Sequence, residues 1–371
     1  MRLVQPIVTN SGFGSNVIAL AKAQRIAEVC DMAFQPPLWP FCGYTKPRTR
    51  DGYGYYFQCT EREQWRQEVL NQHRQLWKRY GFGLIPNAHF GYEEYLQMGQ
   101  QDVGEAALQF LERYSSTNPS QPLYLTVDGA WGRYKAIPSM RPWLNTFIRT
   151  HEPSIQRVTR IQSYIPTNRV RVGVHIRMGN FSRRHPEYDV RAGERITRLP
   201  MDWYMQVCDL IRQTCDPVFI LTSDGTESEL KPFLDRFNPI HTLGQQYHDL
   251  VDLMLLSEAD LLVCSNSSYS RLAAFLSDRP FIWCADTLYS DDTGHNGYLW
   301  REDRDKPVRK TSFHDFSAIQ RSYAISQDVS RLPPGLQRYL QLGATLPVET
   351  GPNLLYGEPV AFWRAYQEVQ A

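Results

Sequence analysis

Nothing in this 371-residue chain is an apolar run longer than a strand, whereas crossing a bilayer as a helix takes about 20 apolar residues. The opening Met1-Arg-Leu-Val-Gln-Pro6 lacks the apolar core and small-residue cleavage site of a signal peptide, so a cytoplasmic protein is expected. An excess of one charge is also missing. Lys plus Arg number 40 against 39 Asp plus Glu, a formal net charge of +1, which leaves no global field to draw nucleic acid or an anionic membrane. Any anion must be gripped by a local patch. The seven cysteines, at 30, 42, 59, 208, 215, 264 and 284, form neither a Cys-x-x-Cys pair nor a disulfide framework and read as reduced, buried thiols. Gly12-Phe-Gly14 lacks the third glycine of a dinucleotide fingerprint, since Val17 occupies its place. Asp303-Arg-Asp305 lies in a charged run with no apolar strand before it and reads as a solvated face, so no metal site is expected. There is no internal repeat and no low-complexity segment.

What is present suits two ordinary α/β domains, with 42% hydrophobic and 13% aromatic residues. Residues 2 to 9 read as a strand through Leu3, Val4, Ile7 and Val8, Gly12 to Gly14 as a tight turn, and Ser15 to Cys30 as a helix with an Ala-rich inner face. The segment Gln35 to Cys59 reads as an irregular wall. Helices are predicted at 61–80, 102–114 and 143–164, with a strand at 122–127. From Arg169 strands and helices alternate, which predicts a parallel doubly wound sheet. After about Asp305 the pattern weakens through Arg331-Leu-Pro-Pro-Gly335; the boundaries follow as 1–166, 167–345 and a C-terminal segment 346–371, whose amphipathic stretch Val360 to Val369 is expected to pack back on the first domain.

Val172-Gly-Val-His175-Ile-Arg177-Met-Gly-Asn180 is the most informative stretch. Val172, Val174 and Ile176 share one strand face, and Gly173, His175 and Arg177 share the other, so that face ends in an imidazole and a guanidinium beside a turn. A planar five-donor guanidinium outside the carboxyl end of a strand suits a phosphate. A second strand, from Pro217, ends in Ser223-Asp224-Gly225 and leads to a helix starting near Thr226. Apolar residues at helical spacing from Asp249 to Ala259 precede a short strand, Asp260 to Cys264. Ser265-Asn-Ser267-Ser268 then opens another helix, where serines can cap the first turn and its N–H groups form a second anion-binding corner. Phe281-Ile-Trp283 is a further short strand.

These pieces together resemble the GDP-fucose-dependent fucosyltransferase superfamily, especially the nodulation and core α1,6-fucosyltransferases. His175-Ile-Arg177 resembles the His-x-Arg motif, Pro200-Met-Asp-Trp-Tyr204 the helix start after it, and Leu221-Thr-Ser-Asp224 the Thr-Asp strand end. Val251 to Ser268 resembles the longest motif block, and Ser11-Gly12-Phe-Gly14-Ser-Asn16 the N-terminal Gly-Phe-Gly loop. The resemblance implies a GT-B architecture, two facing Rossmann-like domains with a C-terminal helix crossing back. It also implies inverting, metal-independent transfer of fucose to a hydroxyl of a glycan, lipo-oligosaccharide or glycosylated natural product, with no cofactor beyond the donor.

By the same resemblance Arg177 is the catalytic phosphate grip, and Gly12, Gly14, Asn16, His175, Asn180, Asp224, Asp252, Ser267 and Ser268 bind the donor, Asp252 recognising guanine. With no pairing pattern among the cysteines, a bacterial enzyme with a cytoplasmic acceptor is expected. Many relatives carry Arg and Asp where this chain has Met178 and Asn180, and the neutral Asn cannot act as a base. Glu187, Asp189, Glu194 and His185, in the Arg-rich loop Phe181 to Arg198, are the nearby candidates for the base, Glu187 being the one chosen, and closure of that loop over the donor is expected. Trp131 and Arg133, after the strand at 122–127, are taken as acceptor contacts, and the aromatics Trp39, Tyr53, Tyr55 and Tyr56 are further candidates. The alternatives are a transferase of another GDP-linked sugar and a sugar-nucleotide- or carbohydrate-binding protein without turnover.

Overall fold

Alternation of apolar residues in short segments builds parallel strands here, and the helices between them cover the faces. A computed structural model describes residues 2–7, 13–35, 87–99, 102–114, 123–128, 134–179, 198–244, 248–290, 296–298, 319–346, 353–356 and 360–361. The expected helix 61–80, the irregular segment with Trp39, Tyr53, Tyr55 and Tyr56, the loop 181–197 and the run around Asp303 lie outside the described residues. The chain divides into two compact units, Met1–Glu152 and Pro153–Ala371.

The first unit contains β1 (Arg2–Ile7), α1 (Phe13–Val29), β2 (Ala33–Phe34), β3 (Asn87–Phe90), α2 (Tyr92–Gln97), α3 (Val103–Tyr114), β4 (Leu123–Asp128) and α4 (Arg141–Phe147). Its strands lie in the order β2-β1-β4-β3, and every pair is parallel. Helix α1 is enclosed on nearly all sides, with the consecutive residues Val17, Ile18, Ala19, Leu20, Ala21 and Lys22 all at 2% exposure or less, where the sequence reading expected a single inner face. Gly104 lets α3 approach it, because a Cβ there would stand 2.6 Å from Val29. The N-terminus of α3 is closed by Asp102, whose carboxylate accepts from the Gly104 N–H at 2.9 Å and from Arg25 at 3.0 Å.

Two expectations are corrected in and beside this unit. Gly14 lies within the first turn of α1 rather than in a turn before it, because the helix already begins at Phe13. The single helix expected over 143–164 is two, α4 and α5 (Glu152–Gln162). Pro153 lacks the N–H that a continuous helix would need and is tolerated only in a first turn, so it starts a new helix.

The second unit continues through β5 (Val170–Ile176), α6 (Met201–Thr214), β6 (Pro217–Ser223), α7 (Glu227–Phe237), β7 (Ile240–His241), α8 (His248–Ser257), β8 (Leu261–Val263), α9 (Ser268–Ser277) and β9 (Phe281–Cys284). Then follow β10 (Tyr289–Ser290), β11 (Asn296–Tyr298), β12 (Ser322–Ile325), α10 (Pro334–Gln341) and β13 (Val360–Ala361). The main sheet has the order β12-β9-β8-β5-β6-β7, again all parallel. Val172, Val174 and Ile176 of β5 share a core with Trp203 and Val207 of α6 and Leu230 and Phe233 of α7. On the opposite face Gly173 admits α8, since a Cβ would stand 2.9 Å from Leu256. Helix α7 opens with a reciprocal cap, the Thr226 hydroxyl accepting from the Glu229 N–H and the Glu229 carboxylate from the Thr226 N–H.

Two C-terminal expectations also change. Arg331 to Gly335, read as a fading pattern, leads into α10, because Pro334 is preorganised for a first helical position. Val360–Ala361 is not the start of a helix but a strand paired with Asn296 and Gly297, and residues 362–371 lie outside the described residues. The described cysteines 30, 208, 215, 264 and 284 are all free, and burial raises the thiol pKa of Cys30 and Cys215 to about 11. Among the described residues no helix is long and apolar enough to cross a membrane.

Candidate functional site

Within the second unit, β5 is followed on one side by β6 and β7, and the chain then returns through α8 to place β8 on the other side of β5. The connections leaving the carboxyl ends of β5 and β8 therefore diverge. In an open parallel sheet such a reversal of strand order forms a crevice where ligands bind. The loop leaving β5 carries Arg177, Met178 and Gly179; the loop leaving β8 carries Ser265 to Ser267 and runs into the N-terminus of the ten-residue helix α9.

His175, the penultimate residue of β5, is 5% exposed and turned toward α9. Its Nδ1 lies 2.6 Å from Ser270 Oγ of α9 and 3.0 Å from Ser265 Oγ, and its ring stands 5.0 Å from that of Tyr269. Burial, reinforced by the Arg177 guanidinium and opposed by Asp224, pushes its pKa down to about 3, so the ring is neutral at neutral pH.

Arg177 extends past the strand end and pairs with Asp224, Nη1 to Oδ2 at 2.7 Å, both side chains being 22% exposed. The second oxygen of Asp224 accepts from the Met178 N–H at 2.7 Å. Ser223 ties the two strand ends together by donating to the Ile176 carbonyl at 2.6 Å and accepting from the Gly225 N–H at 2.9 Å. Gly179, with φ +23°, lies against the same carboxylate, and a Cβ there would stand 1.8 Å from Asp224 Oδ2. Gly179→Ala is therefore expected to push Asp224 off its partners and to destabilise the fold by about 2 kcal/mol, read as a lower urea midpoint with an unchanged slope.

Asp252 is 3% exposed on α8, and its Oδ1 accepts from the Thr242 hydroxyl just beyond β7. The Tyr269 hydroxyl donates to the Asp249 carbonyl, which joins the first turn of α8 to that of α9. Ser267 is the N-cap of α9, its hydroxyl accepting from the Tyr269 N–H at 3.2 Å, and Ser268 is the first helical residue. The partial positive charge of a helix N-terminus thus lies at the carboxyl end of β8. Deeper in α9, the buried Arg271 lies over the Trp283 ring, 5.6 Å from its centroid.

The structure thus gathers His175, Arg177, Asp224, Ser267 and Ser268 at the carboxyl ends of one sheet, with Asp252 on the helix that Tyr269 links to them. Gly14 and Asn16 lie in α1 of the first unit, Asn16 being 2% exposed. Gly12, Asn180, Glu187, Trp131 and Arg133 lie outside the described residues. Sequence reasoning missed Ser270, Tyr269 and Thr242, and it placed Ser265 in the serine loop without joining it to His175. The available signal was that a buried His needs a partner for its ring nitrogen, which points to small hydroxyl residues at the facing strand end and helix.

No protein-family profile and no curated protein matches the chain. Among solved structures it is similar to the fucosyltransferase NodZ from Bradyrhizobium, with 15% identity over 79% of this chain and 95% of that one and a TM-score of 0.43. POFUT1 in complex with GDP has 13% identity over 75% of this chain and 94% of its own, with a TM-score of 0.43. Arabidopsis thaliana FUT1 in complex with GDP has 12% identity over 76% of this chain and 69% of its own, with a TM-score of 0.38. All three scores lie below 0.5, and the functional reading rests on the residues themselves.

Proposed function

We propose that this chain is an inverting glycosyltransferase that moves fucose from GDP-fucose to a hydroxyl of a glycan, lipo-oligosaccharide or glycosylated natural product. The observation that carries the reading is that β5 brings His175 against the loop and first turn of the capped helix α9 and sends Arg177 out beyond its carboxyl end, at the point where strand order reverses. The likeness of the His175-Ile-Arg177 and Val251 to Ser268 segments to fucosyltransferase motifs adds the choice of donor. The GT-B architecture belongs to the same proposal, each unit's parallel sheet supplying a Rossmann-like half, with the acceptor assigned to the first.

In this reaction the acceptor oxygen forms a bond to fucose C1 while the bond from C1 to the β-phosphate oxygen breaks. The electron pair leaves with GDP, and the acceptor proton passes to a base, for which Glu187 is the candidate. Negative charge grows on the diphosphate. Arg177 meets it with parallel N–H donors, and the first turn of α9 adds backbone N–H groups and a partial positive charge. Asp224, fixed by the Met178 N–H, aims the guanidinium. With fixed cationic donors in this role, activity is expected to be unchanged after dialysis against EDTA; a loss restored by manganese or magnesium would overturn this point.

Asp252 is assigned to guanine, whose ring N–H and amino group both donate and so match a carboxylate. Calorimetry with GDP, UDP and ADP tests the reading, and GDP is expected to bind most tightly. Asp252→Ala should weaken GDP by about tenfold or more, the loss of hydrogen bonds to a charged group, while leaving UDP nearly unaffected. Equal GDP affinity in the two proteins removes Asp252 from the site. GDP release from GDP-fucose in the presence of candidate acceptors then separates transfer from binding alone, and GDP-mannose in the same assay tests the choice of sugar.

A further inference from the structure

His175 Nδ1, Ser270 Oγ and Ser265 Oγ form a closed triangle with sides of 2.6, 3.0 and 3.2 Å, and the Ser265 N–H donates to Ser270 Oγ at 3.1 Å. The serines are each 1% exposed, and the histidine 5%. Burial makes the count of protons among these groups consequential, because a buried donor without an acceptor loses its water and gains nothing. Suppose first that Nδ1 carries a proton. It donates to one hydroxyl oxygen, one serine donates to the other, and one proton is left over; the Tyr204 hydroxyl beside Ser265 and the Cys264 thiol beside Ser270 each add one contact and one proton, so neither removes the surplus. Suppose instead that Nδ1 is bare. Ser270 donates to Nδ1 across the shortest side, and Ser270 Oγ accepts from both the hydroxyl and the N–H of Ser265. Every proton then has an acceptor.

We infer that Ser265 and Ser270 are positioning residues that hold His175 in its Nε2–H tautomer, so that the ring presents a single hydrogen-bond donor to whatever lies against it. The preference for this tautomer is tenfold or more, on the order expected for one unsatisfied buried donor. The neighbouring guanidinium of Arg177 works in the same direction by opposing a second proton on the ring. A ligand atom opposite Nε2 must then be an acceptor: a phosphate oxygen, a carbonyl oxygen or an unprotonated ring nitrogen. This last step rests on the nucleotide reading above, whereas the tautomer does not.

Long-range 1H–15N correlation of the histidine rings in the whole, nucleotide-free protein tests the inference, with His175 assigned by the signal missing from His175→Gln. The expected pattern is a bare, pyridine-like Nδ1 and a proton-bearing Nε2, and the reverse pattern overturns the inference. Ser270→Ala should draw the two nitrogen shifts toward each other and weaken GDP by about fivefold, the worth of one net hydrogen bond. Ser270→Thr, which keeps the hydroxyl, should restore both. Unchanged shifts and affinity in Ser270→Ala overturn the positioning role. If that variant fails to fold, the wild-type spectrum decides the tautomer, and Ser265→Ala takes its place for the serine pair. GDP should move the Nε2–H resonance without changing the tautomer. A protein with the inferred tautomer whose Nε2–H ignores GDP would retain the tautomer assignment while overturning the contact with nucleotide.

Discussion

Replacing Arg177 with Lys is expected to slow GDP release from GDP-fucose by about a hundredfold or more, the scale seen when a preorganised donor to developing charge is removed. Lysine keeps the charge and can still reach Asp224, which holds Arg177 at 2.7 Å. It cannot offer two parallel N–H bonds to a diphosphate, because its ammonium is a point charge rather than a planar fork. The fold should survive, since the residue lies beyond the end of β5 and its buried neighbours are unchanged. The check is a turnover assay beside a urea titration. A variant with normal turnover removes Arg177 from the leaving-group site, and one with a lowered urea midpoint shows a structural role instead.

Acid should destabilise the second unit through His175. Burial first, then the Arg177 charge, lower its pKa in the folded protein to about 3, while Asp224 opposes the shift. Unfolding exposes the ring and restores a pKa near 6.5, so between those values the unfolded chain binds a proton that the folded chain does not. The contribution is fully present above the unfolded pKa and is lost as pH falls below it. Each pH unit removes about 1.4 kcal/mol, so that about 2 kcal/mol is gone by pH 5. Urea titrations at pH 7, 6 and 5 measure this slope. His175→Gln, which has no titrating ring, should flatten it by one proton; an unchanged slope would place the acid sensitivity elsewhere.

Much of the local structure was legible because it depends on neighbours in sequence. The alternation in Val172 to Ile176 predicts a strand with two different faces, and one is packed on α6 and α7 while the other meets α8. Asp102 and Ser267 are both helix caps that their residue types announce. Proline was read less well. Pro153 starts a new helix where one long helix was expected, and Pro334 opens a helix where the pattern was thought to fade. Both follow from the fixed backbone angle and missing N–H of proline, which suit a first helical turn as well as a break.

By itself the sequence determined the chemistry of the candidate site: which strand ends in imidazole and guanidinium, which loop carries serines, and which helix carries a carboxylate. Only the tertiary structure decided how they meet. Ser265 and Ser270 are 90 and 95 residues from His175, and no local periodicity joins them. They become its partners because β8 pairs with β5 on the side opposite β6, a choice made by crossover connections and strand register. Arg177 and Asp224, 47 residues apart, meet because β5 and β6 run in register, with Ile176 beside Ser223. A strand's own residues set its period and its faces, whereas its neighbours depend on the burial of whole faces across the sheet.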